Sequence, residues 1–231
     1  MATVVIDSGS GNLRSVHRAL EAAGTTPELT ADPDAVRRAD RIVVPGQGAF
    51  GDCVHNLEKH GLNEAIIEAV TSGTPYFGIC LGLQVLFASS EESEGRGLEL
   101  LEGKVRRFSP DVGKVPHMGW NSVTWNSSES DCSIGDSNHD SGARDLERRS
   151  PKSGDNKHLD PILVGIPQNT YFYFTHSYHV EPSDQDVIAL RCHYGHDVVA
   201  AVRKDNIFAC QFHPEKSQGA GIALLANFLK A

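Results

Sequence analysis

Tyr76-Phe-Gly-Ile-Cys80-Leu-Gly-Leu-Gln84 is the stretch that decides the fold. Residues 74–79 form a short apolar run of strand type, and residues 82–89 carry a helical pattern directly behind it. Cys80 therefore falls at a strand-to-helix junction. Gly78 and Gly82, two residues to either side, leave room for a sharp turn, the pattern of a nucleophile elbow with Cys where hydrolases often carry Ser. Such a turn lifts the thiol clear of the sheet and sets it at a helix N-terminus. Free N–H groups and a positive dipole end there favour a thiolate. The N–H of Leu81 is placed to bind an oxyanion. A buried structural cysteine in a strand-to-helix turn has the same spacing, so the elbow alone leaves both readings open.

Working outward, Ala2-Thr-Val-Val-Ile-Asp7 is a β-branched run broken by Ser8-Gly9-Ser10-Gly11. Asn12 caps a helix in which Leu13, Val16, Leu20 and Ala23 recur at helical spacing, and Gly24 stops it. Arg41-Ile-Val-Val-Pro-Gly46 reads as a second buried strand ending in a glycine loop. Residues 62–72 form an amphipathic helix closed by Gly73. Strands alternating with helices predict an α/β fold: a mostly parallel sheet covered on both faces, with its chemistry at the carboxyl ends of the strands. Both glycine loops and Cys80 fall at that edge. Residues 170–180, 187–193, 198–203 and 207–212 are four more strand-like runs, expected to add antiparallel strands. A closing helix spans 219–230. One domain, 1–231, accommodates all of this except residues 127–158. Twelve of those 32 residues are charged and eight are Ser. Such a segment buries too little apolar surface to offset its ordering entropy, so it is expected to be an exposed, flexible insertion, with Cys132 incidental.

The chain has 21 Lys and Arg against 30 Asp and Glu, a net charge of −9. That balance argues against nucleic-acid and anionic-membrane binding, both of which need a basic face. No stretch approaches the length of a bilayer span, and Met1 to Asp7 lacks the basic start of a signal peptide. The five cysteines are scattered with no CxxC, which points to a reducing cytoplasm. Cys53, Cys192 and Cys210 sit in apolar or strand contexts and read as packing residues. His176 with His179, and His193 with His196, have a helical metal-ligand spacing, but in strands positions i and i+3 face opposite ways, so no metal site is expected. Gly9-Ser-Gly11 falls short of a nucleotide-binding glycine motif.

Gln211-Phe-His213-Pro-Glu215 supplies partners for Cys80. Pro214 biases His213 toward extended geometry, in which residues i and i+2 point the same way. Glu215 then reaches one imidazole nitrogen and leaves the other for the thiol proton, the arrangement of Cys–His–carboxylate catalysis.

The glycine loop at 45–48, the elbow at 78–82 and His213-Pro-Glu215, in that order, resemble the class I (triad) glutamine amidotransferases, whose three-layer, flavodoxin-like fold agrees with the alternation above. Within that family the chain is most similar to glutaminase subunits of imidazole glycerol phosphate synthases. The residues that carry this narrower likeness are Gly11-Asn-Leu-Arg-Ser-Val16, Pro45-Gly-Gln-Gly-Ala-Phe-Gly51, Pro116-His-Met-Gly-Trp-Asn121, Phe174-Thr-His-Ser-Tyr178 and Gln211-Phe-His-Pro-Glu-Lys-Ser217. They span nearly the whole chain outside the insertion. The resemblance implies Cys80 as nucleophile on the side-chain amide of L-glutamine, His213 as base and Glu215 as its orienter. It implies an oxyanion site at the N–H groups of Leu81 and of Gln47 or Gly48. Gln47 stands where the family more often has Val, a change that a backbone donor survives. Gly46, Gln84, Glu92, Ser177 and Tyr178 match positions that hold glutamine. Asn12, Trp120 and Asn121 match positions near a partner, a (β/α)8-barrel cyclase subunit that receives ammonia in histidine biosynthesis. No cofactor is implied. One helix follows the triad, so the ammonia-consuming site is expected on another polypeptide. The alternative is a class I glutaminase serving a different acceptor synthase.

Overall fold

The first half of the chain folds as its alternation of periods predicts. The computed structural model describes residues 1–9, 11–125 and 160–230; the expected insertion at 127–158 lies outside the described residues. Strand β1 (Thr3–Ile6) leads to α1 (Leu13–Ala23), and β2 (Glu28–Thr30) to α2 (Pro33–Arg37). Strand β3 (Arg41–Gly46) is followed by α3 (Phe50–Lys59) and α4 (Leu62–Thr71), and β4 (Tyr76–Cys80) by α5 (Leu81–Gln84). The Asn12 side chain accepts from Ser15 N at the start of α1, and Gly24, at φ 112°, closes its end, as the two residue types require. The second half contributes β5 (Gly103–Arg107), β6 (His117–Val123), β7 (Thr170–His176), β8 (Tyr178–Pro182), β9 (Ile188–Tyr194), β10 (His196–Lys204), β11 (Ile207–Cys210) and α6 (Gln218–Phe228).

Seven strands make the central sheet in the order β2-β1-β3-β4-β11-β10-β9. The first five are mutually parallel, and β10 and β9 add on antiparallel. Side chains alternate across the sheet. Val4, Ile6, Ile42 and Val44 pack with α2, α3 and α4, whereas Val5, Val43, Phe77 and Phe208 pack with α1 and α6. Two smaller antiparallel pairs, β5–β8 and β6–β7, lie against opposite faces of the central sheet.

Three expectations need correction. The helix after Cys80 has four residues rather than eight. Past Gln84 the bonds tighten, Leu86 N to Leu83 O and Phe87 N to Gln84 O, and the N–H groups of Gly97 and Leu98 take the carbonyls of Ala88 and Val85. Val85, Leu86 and Phe87 are all fully buried, so this segment is a core connection with no polar face. Four aligned peptides carry little of a macrodipole, and what α5 offers Cys80 is its free N–H groups. Residues 170–180 are two strands. The chain leaves one sheet at Ser177 and enters another, because β7 pairs with β6 and β8 with β5. Finally, β11 runs parallel to β4 and is antiparallel only to β10.

Backbone contacts at the elbow permit no side chain. A Cβ on Gly82 would stand 1.8 Å from the Val44 carbonyl oxygen, and one on Gly78 would stand 2.5 Å from that of Gly82. Gly82→Ala is expected to cost more than about 2 kcal/mol, since main chain must move. Gly219→Ala, exposed in the first turn of α6 with nothing within 4 Å of its Cβ, should stabilise by up to ~1 kcal/mol. Thermal unfolding of the two variants beside the unaltered protein checks both signs.

Candidate active site

The sheet order brings together three segments that lie far apart in the chain. Strands β3, β4 and β11 are neighbours with their carboxyl ends on one edge, Gly46 opposite Cys80 and Cys210 opposite Ile79. The loop after β3, the elbow after β4 and the segment leading to His213 therefore meet. Cys80 sits at φ 55°, ψ −100°, a backbone conformation that costs a non-glycine residue ~1–3 kcal/mol and persists only where its surroundings enforce it. The Gly78, Gly82 and Val44 contacts enforce it here, with the Tyr76 hydroxyl donating to the Gly82 carbonyl at 2.7 Å.

His213 is buried and extended, and Pro214 opens a single 3-10 turn over Pro214–Lys216. Glu215 thus reaches His213 from a turn and not along an extended strand as expected. The contact forms all the same: His213 Nδ1 donates to Glu215 Oε1 at 2.8 Å, with both side chains 1% exposed. The Ser217 hydroxyl donates to the His213 carbonyl at 2.6 Å and accepts from Tyr173 N, which ties the turn to β7. His213 Nε2 and Glu215 Oε2 have no hydrogen-bond partner. Burial by itself would lower the imidazole. The Cys80 sulfur on one side and the Glu215 carboxylate on the other outweigh it and raise His213 to about 9. Burial pushes Cys53 up to about 11, Cys192 up to about 12 and Cys210 well above the ordinary range, which keeps them as packed thiols.

A cleft of about 400 Å³ opens over Cys80, the size range of small-molecule sites. It is lined by Gln47, Gly48, Leu81, Gln84, Glu92, Ser177, Tyr178 and His213, all singled out from sequence, and by Pro116, Thr175, His176 and Lys216, to which no role was assigned. Glu92 arrives through a contact that no local pattern reveals. Helix α3 has Ala49 at its N-cap and no side-chain cap of its own. Glu92 Oε2 takes the Phe50 N–H at 2.7 Å and Ser93 Oγ the Gly51 N–H at 2.8 Å. Gly46 is buried behind Leu81 and does not line the cleft. Asn12 begins α1 beside Gly11, whose position abuts Gly46 and Gln47. Trp120 is 47% exposed on the outer face of β6–β7, in line with Met118 and opposite Tyr173. Asn121 points inward, donating to the His193 carbonyl at 2.9 Å and accepting from Ser122 N.

His176 and His179 do share a neighbour, contrary to the expectation that they face apart. The change of sheet at Ser177 brings both rings to Phe108, at 5.2 and 4.9 Å between centroids, with His196 at 6.2 Å. Burial lowers His176 to about 3 and His117 to about 4, so both are neutral at pH 7. Among the described residues no group of three or more His, Cys, Asp or Glu is arranged to hold a metal.

Comparison with known proteins places this geometry. The family model for glutamine amidotransferase class-I matches residues 4–231. The chain is 42% identical over 232 residues to the imidazole glycerol phosphate synthase subunit HisH of Syntrophotalea carbinolica, covering 97% of this chain and 98% of the relative. It is 41% identical over 242 residues to the protein of that name from Neisseria gonorrhoeae, covering 99% of each. Among solved structures, a glutamine amidotransferase superposes with a TM-score of 0.68 at 16% identity, covering 98% of this chain and 97% of the other. The glutaminase domain of CTPS from Trypanosoma brucei, solved with bound acivicin, gives 0.60 at 17% identity, covering 100% and 94%. At such identities these two likenesses speak to fold alone, while the family match and the close relatives carry more. The chain belongs to the class I glutamine amidotransferase family.

Proposed function

We propose that the protein is the glutaminase subunit of an imidazole glycerol phosphate synthase, hydrolysing L-glutamine to glutamate and passing ammonia to a (β/α)8-barrel cyclase subunit. The observation that carries the reading is Cys80 and His213 together in the lining of the cleft, with Glu215 bonded to the imidazole from behind. The Cys80 sulfur attacks the side-chain amide carbon of glutamine, and His213 takes the thiol proton and holds it as the imidazolium. The tetrahedral oxyanion lies toward the N–H of Leu81 and a loop N–H of Gln47 or Gly48. His213 returns the proton to the departing nitrogen, the C–N bond breaks, and ammonia leaves a glutamyl thioester. Water, deprotonated by His213, then cleaves the C–S bond and restores the thiol. Glu215 fixes the ring tautomer and supports its positive charge. Gln84, Glu92, Ser177 and Tyr178 hold the amino-acid end of the substrate, and Gly46 supports the elbow from behind.

A cyclase partner fits the subunit name of the relatives and the outer face of β6–β7. Met118 and Tyr171 are 62% and 60% exposed there beside Trp120, and the face runs into the cleft rim at Thr175. Asn12 and Asn121 border this reading rather than carry it, since their side chains are spent on internal bonds. We read the protein as one domain working in the cytoplasm. No helix among the described residues is long and apolar enough to cross a membrane.

Cys80→Ala should abolish ammonia release from glutamine and leave ammonia-dependent synthesis by the assembled pair largely intact; loss of both, with the pair still formed, overturns the division of labour. Glu215→Gln should lower kcat by roughly 10²–10⁴. It should also change the pH dependence of stability. A group whose pKa rises on folding, here from 6.5 to about 9, contributes fully below the lower value and loses its contribution as the pH climbs through the upper one. The melting temperature of the unaltered protein should therefore fall between pH 7 and 9.5 more steeply than that of Glu215→Gln. Trp120→Ala should weaken association with the cyclase by about 30-fold or more with melting unchanged, as measured by titration calorimetry.

A further inference from the structure

Two buried amide side chains lie beneath Cys80, and their hydrogen bonds fix which way each is turned. The main-chain carbonyl of Tyr178 only accepts, and two donors reach it: His176 Nδ1 at 2.7 Å and Gln84 Nε2 at 3.2 Å. The NH2 end of Gln84 thus faces Tyr178, and its second hydrogen goes to Gln211 Oε1 at 3.2 Å. With that oxygen engaged, Gln211 Nε2 is left to donate to Cys80 Sγ at 3.5 Å. Turning the Gln211 amide over would set two NH2 groups against each other and an amide oxygen against the sulfur. Gln211 is fully buried and Gln84 is 3% exposed, so the Gln211 amide finds its partners within the protein. The His176 tautomer is set from behind. His117 Nδ1 lies 3.0 Å from His176 Nε2, and Asn121 Nδ2 lies 3.2 Å from His117 Nε2. Two neutral imidazoles, each with one donor and one acceptor, complete the series from Asn121 to the nucleophile.

We propose that Gln211 is a further catalytic residue, whose amide N–H donates to the Cys80 sulfur and stabilises the negative charge it carries as it attacks and again as it leaves the thioester. A donor of this kind contributes most where the acceptor is charged and water is absent. It differs from the oxyanion site, which serves the carbonyl oxygen of the substrate. The same bond fixes the position of the sulfur in the elbow. Gln84 is turned by the main chain of Tyr178, on the segment that lines the cleft, so the seating of the substrate and the aim of the donor are mechanically joined. The inference rests on the reading of Cys80 as the nucleophile of a glutaminase.

The test uses the full chain, with iodoacetamide alkylation of Cys80 at pH 8 and steady-state glutaminase kinetics. Gln211→Met fills a similar volume without the donor. The alkylation rate and kcat should both fall about 10-fold or more, with KM within about two-fold. Gln211→Glu keeps an oxygen toward Gln84 and sets a carboxylate oxygen against the sulfur. Both rates should fall further, although a residue that served only to hold Gln84 would be replaced there without loss. Because Glu has the shape of Gln, this variant decides the question should the Met variant fail to fold. Alkylation as fast in Gln211→Glu as in the unaltered protein, or a loss carried by KM alone, overturns the proposal. Absence of glutaminase activity in the unaltered protein would instead overturn the reading of its substrate and leave the alkylation comparison standing.

Discussion

The conformation of Cys80 is the constraint on which the site depends. A residue with a side chain is held at φ 55° because the chain on either side of it is pressed against other backbone. Gly82 lies on the Val44 carbonyl of the neighbouring strand, and Gly78 lies on Gly82 itself. Strain of this kind is stored only where packing over-determines the alternative. Here the packing is the parallel pairing of β3 with β4, closed from below by the Tyr76 hydroxyl on the Gly82 carbonyl. Stability invested in the sheet thus appears at its edge as a thiol projected into a cleft.

Electrostatics around the cleft divides the histidines by their neighbours. His117 and His176 are buried with polar but uncharged partners, and desolvation holds both neutral. His213 is as buried, yet the carboxylate on one nitrogen and the sulfur near the other favour its charged form. A buried ion pair is a poor source of stability, because removing both charges from water costs about what their attraction returns. The unpartnered Glu215 Oε2 adds to that cost. The arrangement is better understood as a device for holding a proton beside the sulfur at neutral pH.

The glycine loop that carries Gln47 and Gly48 hangs between fixed ends. On one side β3 anchors it through its pairing with β4. On the other, α3 begins with its N–H groups held by Glu92 and Ser93, 42 residues downstream. Glu92 therefore both lines the cleft and secures the helix that follows the loop. A carboxylate on a helix N-terminus is favourable in its own right, which lets one side chain serve both ends of the site.

Much of the site was legible in residue order because its constraints are local. A strand running into Gly-x-Cys-x-Gly marks the turn in residue order, and Asn12 and Gly24 bound α1 as their chemistry demands. His213 and Glu215 were paired correctly but for the wrong local reason, since a 3-10 turn and not an extended chain brings them together. Periodicity overran at residues 82–89, where apolar residues on every side mean a buried connection, and at 170–180, where only partner strands reveal that the chain changes sheets. Strands β5 and β6 are half exposed and carry no strong alternation, so nothing in their own sequence announced them. By itself the sequence determined the strand-to-helix elbow that holds Cys80, the pairing of His213 with Glu215 and the alternating α/β architecture, because each depends on residues close together in the chain. Only the tertiary structure decided that β11 lies beside β4, that Glu92 caps α3, and that Gln211 turns its N–H to the sulfur. Those outcomes depend on which strands are neighbours and on where buried donors and acceptors find their partners, and neither is encoded in any local run of residues.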